Sequence, residues 1–176
     1  ETLDDVSTLA HESGHSMQSW FSNVSNTPQD SQYTIFVAEV ASTVNELLFA
    51  RKKLRDSDSD EEKLSILNQL METYKGTLFR QTMFAKFERD MHARSEAGEP
   101  LTRNLLCKEY YDLVKRYFGP RVVCDKQIAF EWMRIPHFYY NFYVYKYATC
   151  ISAASAIVKK LETRGAEYLD RYLDFL

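Results

Sequence analysis

Glycine and proline are scarce in this chain, with five glycines and four prolines among 176 residues. These two residues most often end helices and form turns, so their scarcity predicts long helices. No apolar run approaches the roughly 20 residues that a membrane-spanning helix needs. The formal net charge of -3 gives no electrostatic basis for binding nucleic acid. We therefore expect neither a membrane nor a nucleic acid as a partner.

Cysteine is also rare, and its pattern excludes a disulfide-rich scaffold. The three cysteines, Cys107, Cys124 and Cys150, are odd in number and lack the spacing of metal ligands. We expect free thiols in a reducing compartment, and therefore a cytoplasmic protein. The alternative is one disulfide with one spare thiol. An apolar content of 45% and a charged content of 27% are typical of a globular protein.

Periodic apolar residues predict an all-α fold, and no segment shows the alternation typical of strands. The expected helices cover about residues 3–22, 34–56, 60–95, 102–118 and 139–163, and a sixth begins near Ala166. Gly76 is a weak point within the third helix. Residues 121–136 are expected to be irregular, apart from a short turn around residues 127–133.

The most informative motif lies in the first expected helix, at His11-Glu12-Ser13-Gly14-His15. Residues four apart lie on one helical face, so both imidazoles can bind a single zinc ion. Glu12 is offset by one position from His11, which suits a general base acting on a water molecule rather than a zinc ligand. The alternative is a helix that carries two histidines by chance.

A catalytic zinc site needs a third protein ligand, and Glu39 is the candidate. It lies in the second expected helix among apolar residues at helical spacing, namely Phe36, Val37, Val40, Val44, Leu47 and Leu48. A carboxylate in such surroundings is costly unless it is paired or bound to a metal. A partly exposed acid on a surface helix is the alternative.

Glu46 follows Glu39 by two helical turns on the same face. Its carboxylate could accept a hydrogen bond from a zinc-binding histidine and so fix the tautomer of that ring. An ordinary surface or salt-bridged glutamate would show the same pattern.

The motif, together with the segment from Tyr33 to Glu46, resembles oligoendopeptidase F, a family of zinc metallopeptidases related to thimet oligopeptidase. The resemblance continues through residues 76–85, 117–120 and 135–149, in family order over nearly the whole chain. One departure is Gln18, three residues past His15, where the family often has a further histidine. That position is not expected to bind zinc.

The resemblance also implies a role for the aromatic segment that His137 opens. Peptide hydrolysis forms a tetrahedral oxyanion that needs a hydrogen-bond donor besides the metal, and the family places a histidine and tyrosines on such a segment. Carried over, His137 and Tyr145 are the expected catalytic residues. Tyr140 competes with Tyr139 for a further role. Core packing is the alternative for all these rings.

The resemblance implies a zinc-dependent endopeptidase that hydrolyses internal bonds of short oligopeptides, with one zinc ion per chain. Family members are several times longer, and this chain begins without methionine. We therefore expect residues 1–176 to form a single all-α catalytic domain that lacks the N-terminal region of a larger enzyme. The expected partners are oligopeptide substrates and that N-terminal region. Two alternatives remain: a catalytically inactive, peptide-binding homologue and a purely structural helical domain.

Overall fold

The computed structural model describes residues 2–176 and shows helices joined by short loops. The α-helices are α1 (Leu3–Ser25), α2 (Ile35–Asp56), α3 (Asp60–Tyr74), α4 (Arg80–Glu96), α5 (Arg103–Phe118), α6 (Tyr145–Arg164) and α7 (Ala166–Phe175). A π-helical turn, Lys75–Phe79, separates α3 from α4, and two 3-10 helices, Lys126–Arg134 and Pro136–Tyr139, lie between α5 and α6. Residues 2–176 contain no strand, which confirms the all-α prediction.

Two boundaries differ from the prediction. The third expected helix is interrupted at Lys75–Phe79, where Gly76 lowers the helical propensity. The helix expected from residue 139 begins only at Tyr145. Pro136 starts a 3-10 helix, and Asn141 and Phe142 then take positive φ angles, so the first half of the aromatic segment is not α-helical.

Threonine side chains cap the first turns of α1 and α5. Thr2 and Asp5 form a reciprocal capping box at the start of α1. The hydroxyl of Thr102 accepts a hydrogen bond from the backbone N–H of Leu105, at the start of α5. Such caps satisfy backbone donors that the first turn of a helix leaves unpaired.

The chain folds as two compact units, residues 2–74 with 149–176, and residues 75–148. The core of the first joins α2, α6 and α7 through Val40, Ala41, Val44, Leu47, Cys150, Ala154, Val158, Tyr172 and Leu176. The core of the second contains Met83, Phe84, Phe87, Met91, Tyr110, Leu113, Val114, Ile135 and Val144. The expectation of one catalytic domain over residues 1–176 stays a prediction, and residue 1 lies outside the described residues. None of the helices within residues 2–176 is long and apolar enough to cross a membrane.

The contact between α1 and α2 depends on a glycine. A Cβ atom added at Gly14 would lie 2.5 Å from the Cα of Ser42 and 2.7 Å from the backbone oxygen of Ala41. Both atoms belong to the backbone of α2, so neither can rotate away as a side chain would. Only glycine allows the two helices to approach this closely.

In the second unit, a buried carboxylate ties the 3-10 helix Lys126–Arg134 to α4 and α5. One oxygen of Glu131 accepts hydrogen bonds from Arg80 at 2.5 Å and Arg134 at 2.9 Å. The other accepts from the hydroxyl of Tyr110 at 2.6 Å. Burial and the neighbouring carboxylate raise the pKa of Tyr110, so its hydroxyl stays protonated and donates to Glu131.

Gly14→Ala should destabilise the protein, because the added methyl group meets backbone atoms. Overpacking of this kind costs about 1–3 kcal/mol, and thermal melting of the full-length protein would measure the loss. The matched control is Gly76→Ala. Apart from Gly76 itself, its two chain neighbours and the nearby backbone of its own helix, no atom of the described residues lies within 4 Å of the Cβ position at Gly76. Equal melting temperatures for the two variants would contradict the packing role of Gly14.

Candidate metal centre

Helix α1 presents His11 and His15 side by side on one face. Their ring centroids lie 4.9 Å apart, and the ring planes are nearly perpendicular, at 82°. Both residues are partly buried, whereas Gly14 between them is buried against α2. The face of α1 that contacts α2 therefore carries both imidazoles to the same edge of the helix pair.

Helix α2 brings a carboxylate to this edge. The distance from Nε2 of His11 to Oε2 of Glu39 is 3.7 Å. One ligand atom from each of His11, His15 and Glu39 lies within 4.8 Å of the other two. Ligand atoms about 2.1 Å from a tetrahedrally bound zinc ion are about 3.4 Å from one another. The three side chains thus fit one metal ion, and two imidazoles with one carboxylate are a donor set found in catalytic zinc sites.

Glu46 contacts the other nitrogen of His11. Its Oε1 lies 2.8 Å from Nδ1 of the ring, and its role in zinc binding stays a prediction. In the neutral ring, a proton on Nδ1 would be donated to this carboxylate and would leave the lone pair of Nε2 on the side of Glu39. Such a contact orients a histidine for metal binding.

The centre attracts positive charge. The hydrogen bond from Glu46 raises the pKa of His11 most strongly, partial burial opposes it, and the charges of Glu46, Glu39 and Glu12 add to the rise. The same carboxylates favour a bound cation, which would compete with the proton for Nε2 of His11. The negative charge around His11 and the convergence of the three donors therefore both favour a bound cation.

Glu12 lies next to His11 on α1, and it is exposed. Its side chain is not one of the three donors that converge, although its charge contributes to the potential at His11. The expectation that Glu12 is not a ligand therefore stays a prediction. Its role as a base stays a prediction.

The second unit holds the other candidate residues. The ring of His137 lies 6.4 Å from that of Tyr140, 5.6 Å from that of Tyr143 and 5.9 Å from that of Tyr147. The hydroxyl of Tyr147 lies 3.4 Å from Nε2 of His137. Tyr145 begins α6 and is 44% exposed. Roles for His137, Tyr140 and Tyr145 stay predictions.

Sequence reasoning missed the contacts that Tyr143 and Tyr147 make with His137. Both tyrosines lie in the aromatic segment that follows His137, but Tyr143 precedes α6, so helical spacing does not reveal these contacts. Sequence reasoning also missed the packing role of Gly14, a helix-interior glycine whose position between two histidines indicates a close helix contact.

The comparisons with known proteins agree on one family. The family model described as peptidase family M3 matches residues 2–176. Oligopeptidase PepF of Bacillus subtilis is 49% identical over 99% of this chain and 26% of its own length. The plasmid-encoded oligoendopeptidase F of Lactococcus lactis subsp. cremoris is 42% identical over 100% of this chain and 29% of its own.

A solved structure shows the same fold. The crystal structure of oligoendopeptidase-F from Enterococcus faecium is 45% identical and superimposes with a TM-score of 0.85, covering 98% of this chain and 31% of that one. The chain thus spans about a quarter to a third of the length of these relatives. The resemblance noted from the motif blocks is confirmed over residues 2–176: the chain belongs to peptidase family M3.

Proposed function

We propose that this chain is part of a zinc-dependent endopeptidase that hydrolyses internal peptide bonds of short oligopeptides. The observation that carries the proposal is the convergence of His11, His15 and Glu39, with Glu12 beside the first histidine, in a member of peptidase family M3. Relatives named oligopeptidase and oligoendopeptidase F support the substrate class.

His11, His15 and Glu39 would hold one zinc ion, and Glu46 would orient His11 through the contact at Nδ1. When bound, zinc supplies a Lewis acid that lowers the pKa of a water molecule and polarises the scissile carbonyl group. Because the three donors are partly buried, fewer water molecules would compete with them for the coordination positions of the zinc ion.

Glu12 is the proposed general base and acid. Its carboxylate accepts a proton from the attacking water and then delivers this proton to the nitrogen of the leaving amine. The exposure of Glu12 leaves its carboxylate accessible to a peptide.

His137, Tyr145 and Tyr140 are the proposed donors to the oxyanion. An imidazole N–H or a phenolic O–H donates a hydrogen bond to the oxygen that gains negative charge in the transition state. The assignment of these residues comes from the family resemblance. Whether Tyr139 or Tyr143 takes the place of Tyr140 stays open.

The proposed partners are oligopeptides and the rest of a longer chain. Since the relatives are about three to four times longer than this chain, we propose that an N-terminal region completes the enzyme and restricts its substrates to short peptides. A cytoplasmic location stays a prediction.

Glu46→Gln in the full-length enzyme should weaken zinc binding by about 10–100-fold, because an amide orients the His11 ring less strongly than a carboxylate does. Competition with a chelator of known affinity would measure the change. Glu61→Gln, at an exposed acid in α3, is the control and should bind zinc as the parent does. Unchanged affinity in the Glu46 variant would make that residue an ordinary surface acid.

Glu12→Gln should lower peptide hydrolysis by at least about 100-fold, because glutamine keeps the shape of glutamate but cannot accept the proton. Zinc content, measured by atomic emission, should stay at that of the parent. Loss of zinc together with activity would assign Glu12 a ligand role. Full activity in the variant would contradict the role of Glu12 as the base. A parent enzyme that does not hydrolyse peptides would favour the alternative of an inactive, peptide-binding homologue.

Tyr145→Phe should lower kcat by about two to three orders of magnitude with little change in KM, since one oxyanion donor is worth about 3–4 kcal/mol. Steady-state kinetics on a quenched fluorescent peptide would show this. Tyr168→Phe, which removes a hydroxyl from α7, is the control and should leave kcat unchanged. A normal kcat with a lowered melting temperature would return Tyr145 to a packing role, where a hydroxyl is worth about 1 kcal/mol.

A further inference from the structure

The aromatic segment contains a turn that its residue types disfavour. Asn141 and Phe142 have φ angles of 33° and 53°. Residues other than glycine seldom adopt positive φ, and bulky ones least of all. Such a conformation persists where the surrounding structure holds it, and these positions cluster at functional sites.

A buried carboxylate holds this turn. Oε1 of Glu88, on α4, accepts a hydrogen bond from the backbone N–H of Phe142 at 2.7 Å, and Glu88 is only 4% exposed. One helical turn further along α4, the ring of His92 lies 4.4 Å from the ring of Phe142. Two side chains of α4 thus contact Phe142: Glu88 binds its backbone N–H, and His92 packs against its ring.

The turn connects two anchored ends. Before it, the ring of Phe138 packs against Phe84 and Phe87, with ring centroids 5.5 Å apart in both contacts. After it, Val144 is fully buried in the same core. The conformation of the turn therefore sets the path of the backbone between Phe138 and Val144.

Stability alone does not account for a glutamate at this position. Oε2 of Glu88 has no hydrogen-bond partner within residues 2–176, and burial raises the pKa of Glu88 against the opposing effects of the Phe142 N–H and His92. Its neighbours on α4, including Phe84, Phe87 and Met91, form the apolar core. Burying a carboxylate there with one unpaired oxygen costs free energy that an apolar side chain would not.

We propose that Glu88 is a positioning residue: by holding the left-handed turn at Asn141–Phe142, it orients the aromatic segment that carries His137, Tyr140 and Tyr145. The inference rests on the proposed function, in which these three side chains donate to the oxyanion. Glu88 itself touches neither substrate nor metal in this role.

The hydrogen-bond donors that stabilise the oxyanion act only when they are placed accurately. A displacement of about 1 Å in a group that acts on the transition state can lower the rate by about 100-fold. Loss of the Glu88 contact should therefore lower kcat, whereas KM and zinc content, which depend on other residues, should change little.

The test compares Glu88→Met with Glu88→Gln in the full-length enzyme. Methionine is similar in length to glutamate but offers no strong acceptor, so kcat should fall at least about tenfold while KM stays within about threefold. Glutamine keeps a carbonyl acceptor and should restore kcat to within about threefold of the parent. Glu96→Met, at the exposed end of the same helix, is the control and should behave as the parent.

Three further experiments keep the test decisive if the methionine variant folds poorly. Glu88→Asp keeps the charge but retracts the acceptor, and it should show the same selective loss of kcat. Asn141→Gly added to the Glu88 variants should recover part of the lost kcat, because glycine adopts positive φ readily. Hydrogen exchange should be faster over residues 139–145 in Glu88→Met and Glu88→Asp than in Glu88→Gln.

The outcomes separate this inference from the function on which it rests. An active parent with an unaltered kcat in Glu88→Met and Glu88→Asp would overturn the positioning role, even if both melting temperatures fell. Equal losses in the glutamine and methionine variants would overturn the hydrogen-bond mechanism. An inactive, zinc-loaded parent would instead overturn the proposed function, and unchanged exchange over residues 139–145 would overturn the anchoring itself.

Discussion

The close contact between α1 and α2 at Gly14 is the constraint on which the candidate metal centre depends. The backbone of α2 occupies the space that any side chain at this position would need. Because His11 and His15 lie on either side of Gly14, the same contact determines how far each imidazole lies from α2. At a wider separation, Glu39 would no longer lie 3.7 Å from His11, and the three donors would not share one ion.

Both units contain buried or partly buried carboxylates, whose removal from water costs free energy, and these carboxylates have different partners. Glu39 and Glu46 contact the two nitrogens of His11, so one imidazole lies between two acids and the site favours a cation. Glu131 is compensated by two arginines and a tyrosine. Glu88 accepts a hydrogen bond from one backbone N–H, and its other oxygen has no partner among the residues that the structure describes. Glu131 has enough hydrogen-bond donors to offset the cost of its burial, so it supports the fold. Glu88 has too few, so its presence in the core calls for another explanation.

The sequence predicted the parts of the structure that depend on local periodicity. The spacing of four predicts His11 and His15 on one helical face, and Glu39 is a carboxylate among the apolar residues of the second helix. The all-α class and the family are confirmed, whereas the roles of the site residues stay predictions. Helical periodicity continues through the aromatic segment and predicts a helix from about residue 139, whereas α6 begins at Tyr145. The turn at Asn141–Phe142 is stabilised by Glu88, 54 residues earlier in the chain. No local pattern reveals such a contact, although a glutamate among Phe84, Phe87 and Met91 was a visible signal.

Anomalous diffraction at the zinc absorption edge, on crystals of the full-length enzyme, tests the central claim most directly. The account predicts one peak at about 2.0–2.2 Å from a nitrogen of His11, a nitrogen of His15 and a carboxylate oxygen of Glu39, with Glu12 outside the coordination sphere and Glu46 on Nδ1 of His11. A peak that Glu12 ligates in place of Glu39, or no peak between α1 and α2 in a protein that hydrolyses peptides, would contradict it.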